Sequence, residues 1–178
     1  MLSLIEETSP ILHNASRDVT DTEFKTAELK QTIDDMFALL RAKKDGVALA
    51  APQAGIAQRI FIITPDIFKN PDSHELVYIN PKVISLSKEQ VLMEEGCLSV
   101  PYIFGKTKRS IQATIEAYRV DGTKFTKSGT GLLAQIFQHE TDHLDGILFN
   151  THATHLHKLT PEEILRFEQE DYTINPMY

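Results

Sequence analysis

Two histidines and one glutamate stand close together in the run His139-Glu140-Thr141-Asp142-His143. Side chains four residues apart on a helix lie one turn from each other, so both imidazole rings can reach the same metal ion. Glu140 would point close to that ion without being needed as a ligand. The spacing is that of the H-E-x-x-H metal hydrolases, in which two imidazoles hold the ion and the carboxylate moves protons for a bound water.

The flanking sequence predicts that this run lies on a helix with a buried apolar stripe. A break at residues 129–131 precedes the helix, and Gly146 supplies a C-terminal cap. The apolar positions at helical spacing are Leu132, Leu133, Ile136, Phe137 and Leu144. Two hydrogen-bonded core histidines are the alternative. Burying two histidines and a glutamate together is costly without a cation, and we therefore favour a metal site.

A tetrahedral ion that keeps one position open for water needs a third protein ligand. A carboxylate, a further histidine or a thiolate would serve, and the chain has a single cysteine, Cys97. The segment around it contains Gly96, which permits close approach of the backbone, and is expected to end at Pro101. One cysteine cannot form an intrachain disulfide, and a buried free cysteine is usually a small apolar residue. This segment alone leaves the ligand role and the packing role of Cys97 equally open.

The rest of the chain predicts an α+β fold. Apolar residues from Leu29 to Leu40 recur at helical spacing, after N-cap candidates at residues 20–22 and before a stop at Gly46. Strands are expected at residues 59–64, 75–79, 83–86, 90–93 and 111–117, with a loop at 65–73 and a hairpin turn at Asp121-Gly122. We expect short antiparallel β-sheets wrapped around a central metal-binding helix, with one N-terminal and one C-terminal helix.

Composition favours a compact enzyme that works inside the cell. The 178 residues are 42% hydrophobic, which suits one domain over residues 1–178 with a helical tail from about residue 160. No apolar run approaches the roughly 20 residues of a membrane helix, and the N-terminus lacks the basic region of a secretory signal. A single cysteine fits a reducing compartment, so we expect a cytoplasmic location. The net charge of −7 argues against nonspecific binding to nucleic acid.

Three sequence blocks together resemble peptide deformylases. They are Gly46-Val47-Ala48-Leu49-Ala50-Ala51-Pro52-Gln53, Glu95-Gly96-Cys97-Leu98-Ser99 and Gln138-His139-Glu140-Thr141-Asp142-His143. The blocks stand in the order of that family and at the intervals of a compact member. With their flanks they cover roughly residues 10–150, and the resemblance implies the same α+β fold.

The resemblance implies a role for individual residues of these three blocks. It implies one divalent metal ion per chain, held by Cys97, His139 and His143, with Glu140 as the acid/base. Iron(II) is the expected native ion, with zinc, nickel and cobalt as alternatives. The side-chain amide of Gln53 and the backbone N–H of Leu98 are implied to hold the developing oxyanion.

The substrate implied by the resemblance is the formylated N-terminal methionine of a nascent polypeptide, and the products are formate and a free amine. A tight site could accept formyl and reject the larger acetyl group. An extended peptide would hydrogen-bond to the backbone beside the metal and place its first side chain in an apolar pocket. The residues expected to contact substrate are Gly46, Val47, Ala48, Leu49, Glu95 and Gly96.

Ala48 departs from the family pattern, which has glycine at the matching position. The methyl group either strains the strand, if φ is positive, or projects into the substrate channel and shifts peptide preference; in a third interpretation it packs harmlessly. The other essential positions are intact. The alternatives for the chain are a low-activity or inactive deformylase paralogue, an H-E-x-x-H metallopeptidase that cuts ordinary peptide bonds, and a binding module whose metal is closed off by a fourth protein ligand.

Two features near the C-terminus invite a functional interpretation. His152, His155 and His157 could suggest a second metal site, but their polar surroundings favour a solvated segment. Thr160 and Pro161 predict the start of a helix, and its sequence is acidic. Some members of the resembled family contact the ribosome through a basic C-terminal helix. A transient contact with the ribosome is possible for this chain, but its acidic tail argues against contact through the C-terminal helix.

Overall fold

The computed structural model describes residues 2–68 and 75–169. Within these ranges the helices are α1 (Ala27–Arg41), α2 (Leu132–Leu144) and α3 (Pro161–Gln169). The strands are β1 (Ala48–Ala50), β2 (Ile60–Ile63), β3 (Val77–Leu86), β4 (Gln90–Cys97), β5 (Val100–Ser110), β6 (Gln112–Tyr118), β7 (Lys124–Thr130) and β8 (Thr154–Lys158). Residues 69–73 of the expected loop and 170–178 of the expected tail lie outside the described residues. No described helix has the length and apolar character needed to cross a membrane.

The strands form two antiparallel sheets around α2. The larger sheet has five strands in the order β1-β2-β3-β6-β7, and the smaller has three in the order β4-β5-β8. Helix α2 packs against strands of both sheets. The predicted α+β class, with short antiparallel sheets around a central helix, is confirmed.

Strand β2 shows that both faces of the larger sheet are covered. Ile60 and Ile62 pack in the core beneath α1, whereas Phe61 and Ile63 pack in the core beneath α2. All four side chains are fully buried, and the Phe61 ring stacks on Tyr78 with 4.5 Å between centroids. Because both faces are covered, the strand is a continuous apolar run rather than an alternation of apolar and polar residues.

Helix α1 is shorter than predicted at both ends. Its N-cap is Thr26, whose hydroxyl accepts a hydrogen bond from the backbone N–H of Leu29 at 3.2 Å. Residues 21–25 form turns instead of helix, and α1 ends at Arg41, well before Gly46. The apolar positions that predicted the helix do face the core, since Leu29, Ile33, Met36 and Leu40 are buried.

Helix α2, which carries the histidines, is bounded by glycines as predicted. Its N-cap Gly131 has φ of +55°. At the other end Gly146 has φ of +77°, and its N–H donates to the carbonyl of His143 at 3.1 Å while that of Ile147 donates to Asp142 at 2.8 Å. This pair of bonds is a Schellman motif, in which a left-handed glycine satisfies the last carbonyls of a helix.

Two prolines lie inside strands that were predicted to end or divide there. The expected strands at 75–79 and 83–86 are one strand, β3, which passes through Pro81 at a register shift. Pro101 does not end the cysteine segment but is part of β5, beside the register shift between Gly96 and Cys97. A proline cannot donate to a ladder, and a bulge is where a strand tolerates it.

Candidate active site

The structure brings the side chains of Cys97, His139 and His143 together. Their ligand atoms all lie within 4.8 Å of one another. Cys97 Sγ is 3.2 Å from His143 Nε2, and the two imidazole rings are nearly perpendicular with 4.8 Å between centroids. One sulfur and two ring nitrogens are a donor set that suits a divalent transition metal, so the residues present fit such an ion. Within residues 2–68 and 75–169, no other cluster of this kind is found.

Cys97 reaches α2 from the last position of β4, just before a tight hairpin turn at residues 98 and 99. The strand register shifts between Gly96 and Cys97. A Cβ atom at Gly96 would lie 2.7 Å from the ring of Phe104, so glycine is what leaves room for this ring against β4. The position of the sulfur is therefore set by the β4–β5 hairpin and not by the helix that carries the histidines.

Glu95 holds His139 in the orientation that a metal ligand requires. Its Oε2 lies 3.1 Å from His139 Nδ1. That hydrogen bond leaves Nε2 to face Cys97, as carboxylates do for metal-binding histidines. Burial would raise the pKa of Glu95, but hydrogen bonds from His139 and Arg109 outweigh burial and bring its pKa to about 2. Glu95 was expected to contact substrate, yet its carboxylate oxygens bind His139 and Arg109.

The two histidines differ electrostatically. Burial tends to lower the pKa of His139, but hydrogen bonds with Cys97 and Glu95 raise it well above the ordinary value. Burial, together with the charge on His139, lowers the pKa of His143. A neutral imidazole has an unprotonated ring nitrogen, whose lone pair can coordinate a cation, so His143 suits a ligand role beside Cys97.

Arg109 is a site residue that sequence reasoning missed. Its side chain is 7% exposed and donates to Glu95 at 2.7 and 3.0 Å and to Asp142 at 2.6 Å. Along β5 it alternates with the exposed residues Lys106 and Lys108. Burial thus alternates along β5. Residues 106–109 contain no apolar side chain, so the sequence gives no sign of which positions are buried.

We predict that Arg109→Met destabilises the protein by about 3 kcal/mol or more, because it leaves the buried Glu95 carboxylate without its cation. Urea unfolding at a fixed metal content measures the change. Lys108→Met is the matched control, since Lys108 is exposed on the same strand. Equal unfolding midpoints for the two variants would contradict the prediction.

Glu140 lies next to the cluster on α2 and is 4% exposed. Its Oε2 has no hydrogen-bond partner among the described residues. Burial raises the pKa of Glu140 to about 7, although the charge of His139 opposes the rise. A carboxyl group with a pKa near neutrality can both accept and release a proton, which is what a general acid/base must do.

Gln53 directs its amide into the site from the turn after β1. Its Oε1 accepts a hydrogen bond from the backbone N–H of Ala50 at 2.9 Å. This contact leaves Nε2 to donate to Cys97 Sγ at 3.3 Å and toward Ser99 Oγ at 3.5 Å. Gln53 is 2% exposed, so packing as well as these hydrogen bonds fixes the orientation of its amide.

A cleft of about 520 Å³ opens onto the cluster. The predicted site residues that line it are Gly46, Val47, Ala48, Gln53, Glu95, Gly96, Cys97, Leu98, His139 and Glu140. His143 and the side chain of Leu49 lie behind this surface. Leu49 is fully buried in the core beneath α1, because successive side chains of a strand point to opposite faces of the sheet.

Ala48 does not have a positive φ, so the interpretation that its methyl group strains β1 is wrong. The residue is 6% exposed and packs in the core beneath α2 while also lining the cleft. The methyl group thus belongs to the wall between the core and the cleft.

The three C-terminal histidines lie away from the cluster, on or just before β8. His155 and His157 are exposed on that strand, which pairs with β5. His152 Nε2 comes within 4.0 Å of Asp142. The segment is solvated as predicted, and residues 154–158 of it form β8.

An α+β fold with a Cys/His/His cluster that could hold a metal and a buried carboxylate beside it is typical of a metal-dependent hydrolase. Comparison with known proteins narrows this class. The profile of the polypeptide deformylase family matches residues 1–159. Peptide deformylase 2 of Clostridium acetobutylicum is 41% identical over 146 residues, which are 81% of this chain and 89% of that protein.

Two further similarities support the same assignment. Peptide deformylase of Acidobacterium capsulatum is 42% identical over 146 residues, 82% of each chain. The crystal structure of a class I type b peptide deformylase from Acinetobacter baumannii with Met-Ala-Ser bound has a TM-score of 0.75 and 34% identity, covering 84% of this chain and 96% of that one. The chain belongs to the polypeptide deformylase family.

Proposed function

We propose that the Cys97–His139–His143 cluster is the catalytic centre of a peptide deformylase. Members of the family are hydrolases that remove the formyl group from the N-terminal methionine of nascent polypeptides, and this is the reaction of the chain. The observation that carries the site assignment is the convergence of three ligand atoms within 4.8 Å beside a buried carboxylate. A divalent ion held there would supply Lewis acidity, which activates water as a nucleophile and polarises a carbonyl.

Glu140 moves the protons of this reaction. It accepts a proton from water as the water oxygen attacks the formyl carbon, and delivers that proton to the methionine nitrogen as the C–N bond breaks. The second water hydrogen stays on the product as formic acid, which ionises to formate and protonates the free amine, and the Glu140 carboxylate is regenerated. The unpartnered Oε2 of Glu140 supports this role, since it leaves one oxygen available to a reactant.

The negative charge that develops on the formyl oxygen needs donors already in place. The Gln53 amide is one, because its Nε2 is aimed at Cys97 Sγ by the Ala50 hydrogen bond. The backbone N–H of Leu98, next to Cys97 on the hairpin turn, is the second. The hydrogen bond with Ala50 fixes the Gln53 amide, and the β4–β5 hairpin fixes the Leu98 N–H, so both donors need little reorganisation during the reaction.

The peptide binds in the cleft between the segment 46–48 and the strand β4. Edges of two strands on either side of a groove suit an extended chain, which adds backbone hydrogen bonds to them. The methionine side chain occupies the apolar end of the cleft beside Leu132 and Ile136 of α2. The structure of the Acinetobacter relative with Met-Ala-Ser supports a peptide of this kind as ligand.

The proposal also covers the native metal ion, the cellular location and contact with the ribosome. Iron(II) is the native ion we favour for the Cys/His/His donor set, with zinc, nickel or cobalt as substitutes. The chain acts as one catalytic domain in the cytoplasm, where formylated nascent peptides arise. A transient ribosome contact would have to use a surface other than α3, whose acidic residues Glu162, Glu163 and Glu168 do not suit RNA.

The function is tested with formyl-Met-Ala-Ser and the protein loaded anaerobically with Fe(II) or Co(II). We expect release of formate and no deacetylation of acetyl-Met-Ala-Ser. Cleavage of the Met–Ala bond in either peptide would instead indicate a metallopeptidase. Full metal content without any turnover would indicate an inactive paralogue.

Ala48→Gly is expected to lower KM about threefold for formyl-Met peptides with bulky following residues and to leave kcat nearly unchanged. The methyl group forms part of the cleft wall, so its removal relieves a steric clash with bulky peptides equally in the bound state and the transition state. A threefold change corresponds to about 0.7 kcal/mol. Steady-state kinetics over a series of peptide sizes measures the effect. Identical KM values for both proteins across the series would show that the methyl group only packs in the core.

A further inference from the structure

Helix α3 lies at the outer end of the substrate cleft. Phe167 and Glu168, near its C-terminal end, line the same cleft as Cys97 and Glu140. The family profile ends at residue 159, just before α3 begins at Pro161. The cleft thus combines catalytic residues from the matched region with a wall contributed from beyond it.

Glu168 connects α3 to two other segments that line the cleft. Its side chain accepts a hydrogen bond from the Tyr102 hydroxyl on β5 at 2.7 Å. Its backbone carbonyl accepts one from Lys44 Nζ, in the segment before β1, at 3.3 Å. Tyr102 and Lys44 both line the cleft, one on β5 and the other in the segment before β1. The end of α3 is therefore bonded to two separate segments of the cleft lining.

Phe167 completes an aromatic wall. Its ring lies 6.1 Å from that of Phe104 and 6.5 Å from that of Tyr102, both nearly edge-on. These distances and angles are those of attractive aromatic pairs. All three side chains line the cleft, so a peptide that leaves the catalytic centre in extended form meets an apolar, aromatic surface.

The backbone of Tyr102 is held in an unusual conformation. Its φ is +61°, in the left-handed region that costs a non-glycine residue about 1 kcal/mol. Its carbonyl accepts a hydrogen bond from the N–H of Leu159, in the connection that leads into α3, at 2.9 Å. The conformation places the Tyr102 side chain where it contacts α3. Such local strain is concentrated at ligand-binding sites.

We propose that Phe167 is a specificity-determining residue for the deformylation reaction. With Tyr102 and Phe104 it receives an apolar side chain of the substrate downstream of the formyl-methionine. Glu168 positions Phe167 by bonding the end of α3 to Tyr102 and Lys44. This inference rests on the proposed function, because it concerns the peptide bound at the same catalytic centre.

A phenylalanine scan of the substrate tests the inference. The parent peptide is formyl-Met-Ala-Ala-Ala, and phenylalanine replaces alanine at the second, third or fourth position. The full-length wild-type protein and the Phe167→Ala variant are compared by steady-state kinetics. The control is Leu165→Ala, which truncates an exposed apolar side chain on the same helix. Thermal unfolding of all three proteins checks that α3 substitutions leave the fold intact.

We expect the wild type to have its lowest KM with phenylalanine at one of these positions. Phe167→Ala should raise KM for that peptide roughly threefold to tenfold, the worth of about one aromatic contact, while kcat changes little. Leu165→Ala should match the wild type.

Two results would overturn the inference while leaving the function intact. One is equal KM values for Phe167→Ala and Leu165→Ala at every position of the scan. The other is a lower KM of Phe167→Ala for all tetrapeptides, since α3 would then obstruct the cleft and not bind substrate. Absence of turnover of the short peptide formyl-Met-Ala by the metal-loaded wild type would instead contradict the proposed function itself.

Discussion

Glu140→Gln is expected to lower turnover of formyl-Met-Ala-Ser by ~100-fold or more, the scale of losing a general acid/base. Glutamine keeps the size and the hydrogen-bonding oxygen of the side chain but can neither accept nor return a proton. Metal content should stay at one ion per chain, because Glu140 is not part of the ligand cluster. Turnover is measured as formate release, and metal content by elemental analysis of the same preparation.

A matched control for Glu140→Gln is available at the cleft rim. Glu94 also lines the cleft but is exposed, and its backbone carbonyl is what binds Gln135. Glu94→Gln removes the same charge and should leave turnover close to that of the wild type. A folded Glu140→Gln protein that had lost its metal would show that Glu140 is a ligand and that the proposed division of roles is wrong.

Cys97→Ala is expected to abolish both metal binding and deformylation. As a ligand, the thiolate would neutralise part of the charge of the ion, and two imidazoles alone bind a divalent metal much more weakly. Binding energy of a metal site is partly folding energy, so the variant should also unfold at lower temperature than the metal-loaded wild type. Elemental analysis, formate release and thermal unfolding measure the three effects.

Ser99→Ala controls for disturbance of the hairpin turn. Ser99 is buried close to Cys97 and contacts the Gln53 amide, but it is not one of the clustered ligands. This variant should retain metal. Full activity and full metal content in Cys97→Ala would remove the cysteine from the catalytic centre and leave a packing role for it.

The elements that the sequence predicted well are those whose determinants are local. His139 and His143 share a face of α2 because they are one helical turn apart, and Gly131 and Gly146 end that helix through their positive φ values. A spacing of four residues and a left-handed glycine need no partner from elsewhere in the chain to exert their effect. For the same reason α2 and the α+β class followed from the pattern alone.

Helix α1 and the prolines show where local patterns are ambiguous. The sequence offers N-caps for α1 at residues 20–22, but the structure uses Thr26, since residues 21–25 form turns and Lys25 has φ of +64°. Pro81 and Pro101 are strong local stop signals, yet β3 and β5 continue through them at register shifts. Whether a proline meets a ladder position or a bulge depends on the partner strand, which the local sequence does not contain.

Only the tertiary structure decided which distant groups meet. Cys97 and His143 are 46 residues apart, and the hairpin of β4 and β5 brings them within 3.2 Å. The burial of Arg109 between Glu95 and Asp142, and the position of Phe167 beside Phe104, likewise depend on packing of separate elements. Spacing along a helix places the two histidines on one face. The positions of Cys97, of the charges around Glu95 and of the aromatic residues of the cleft are set by long-range contacts, which offset their ordering entropy only when the whole fold forms.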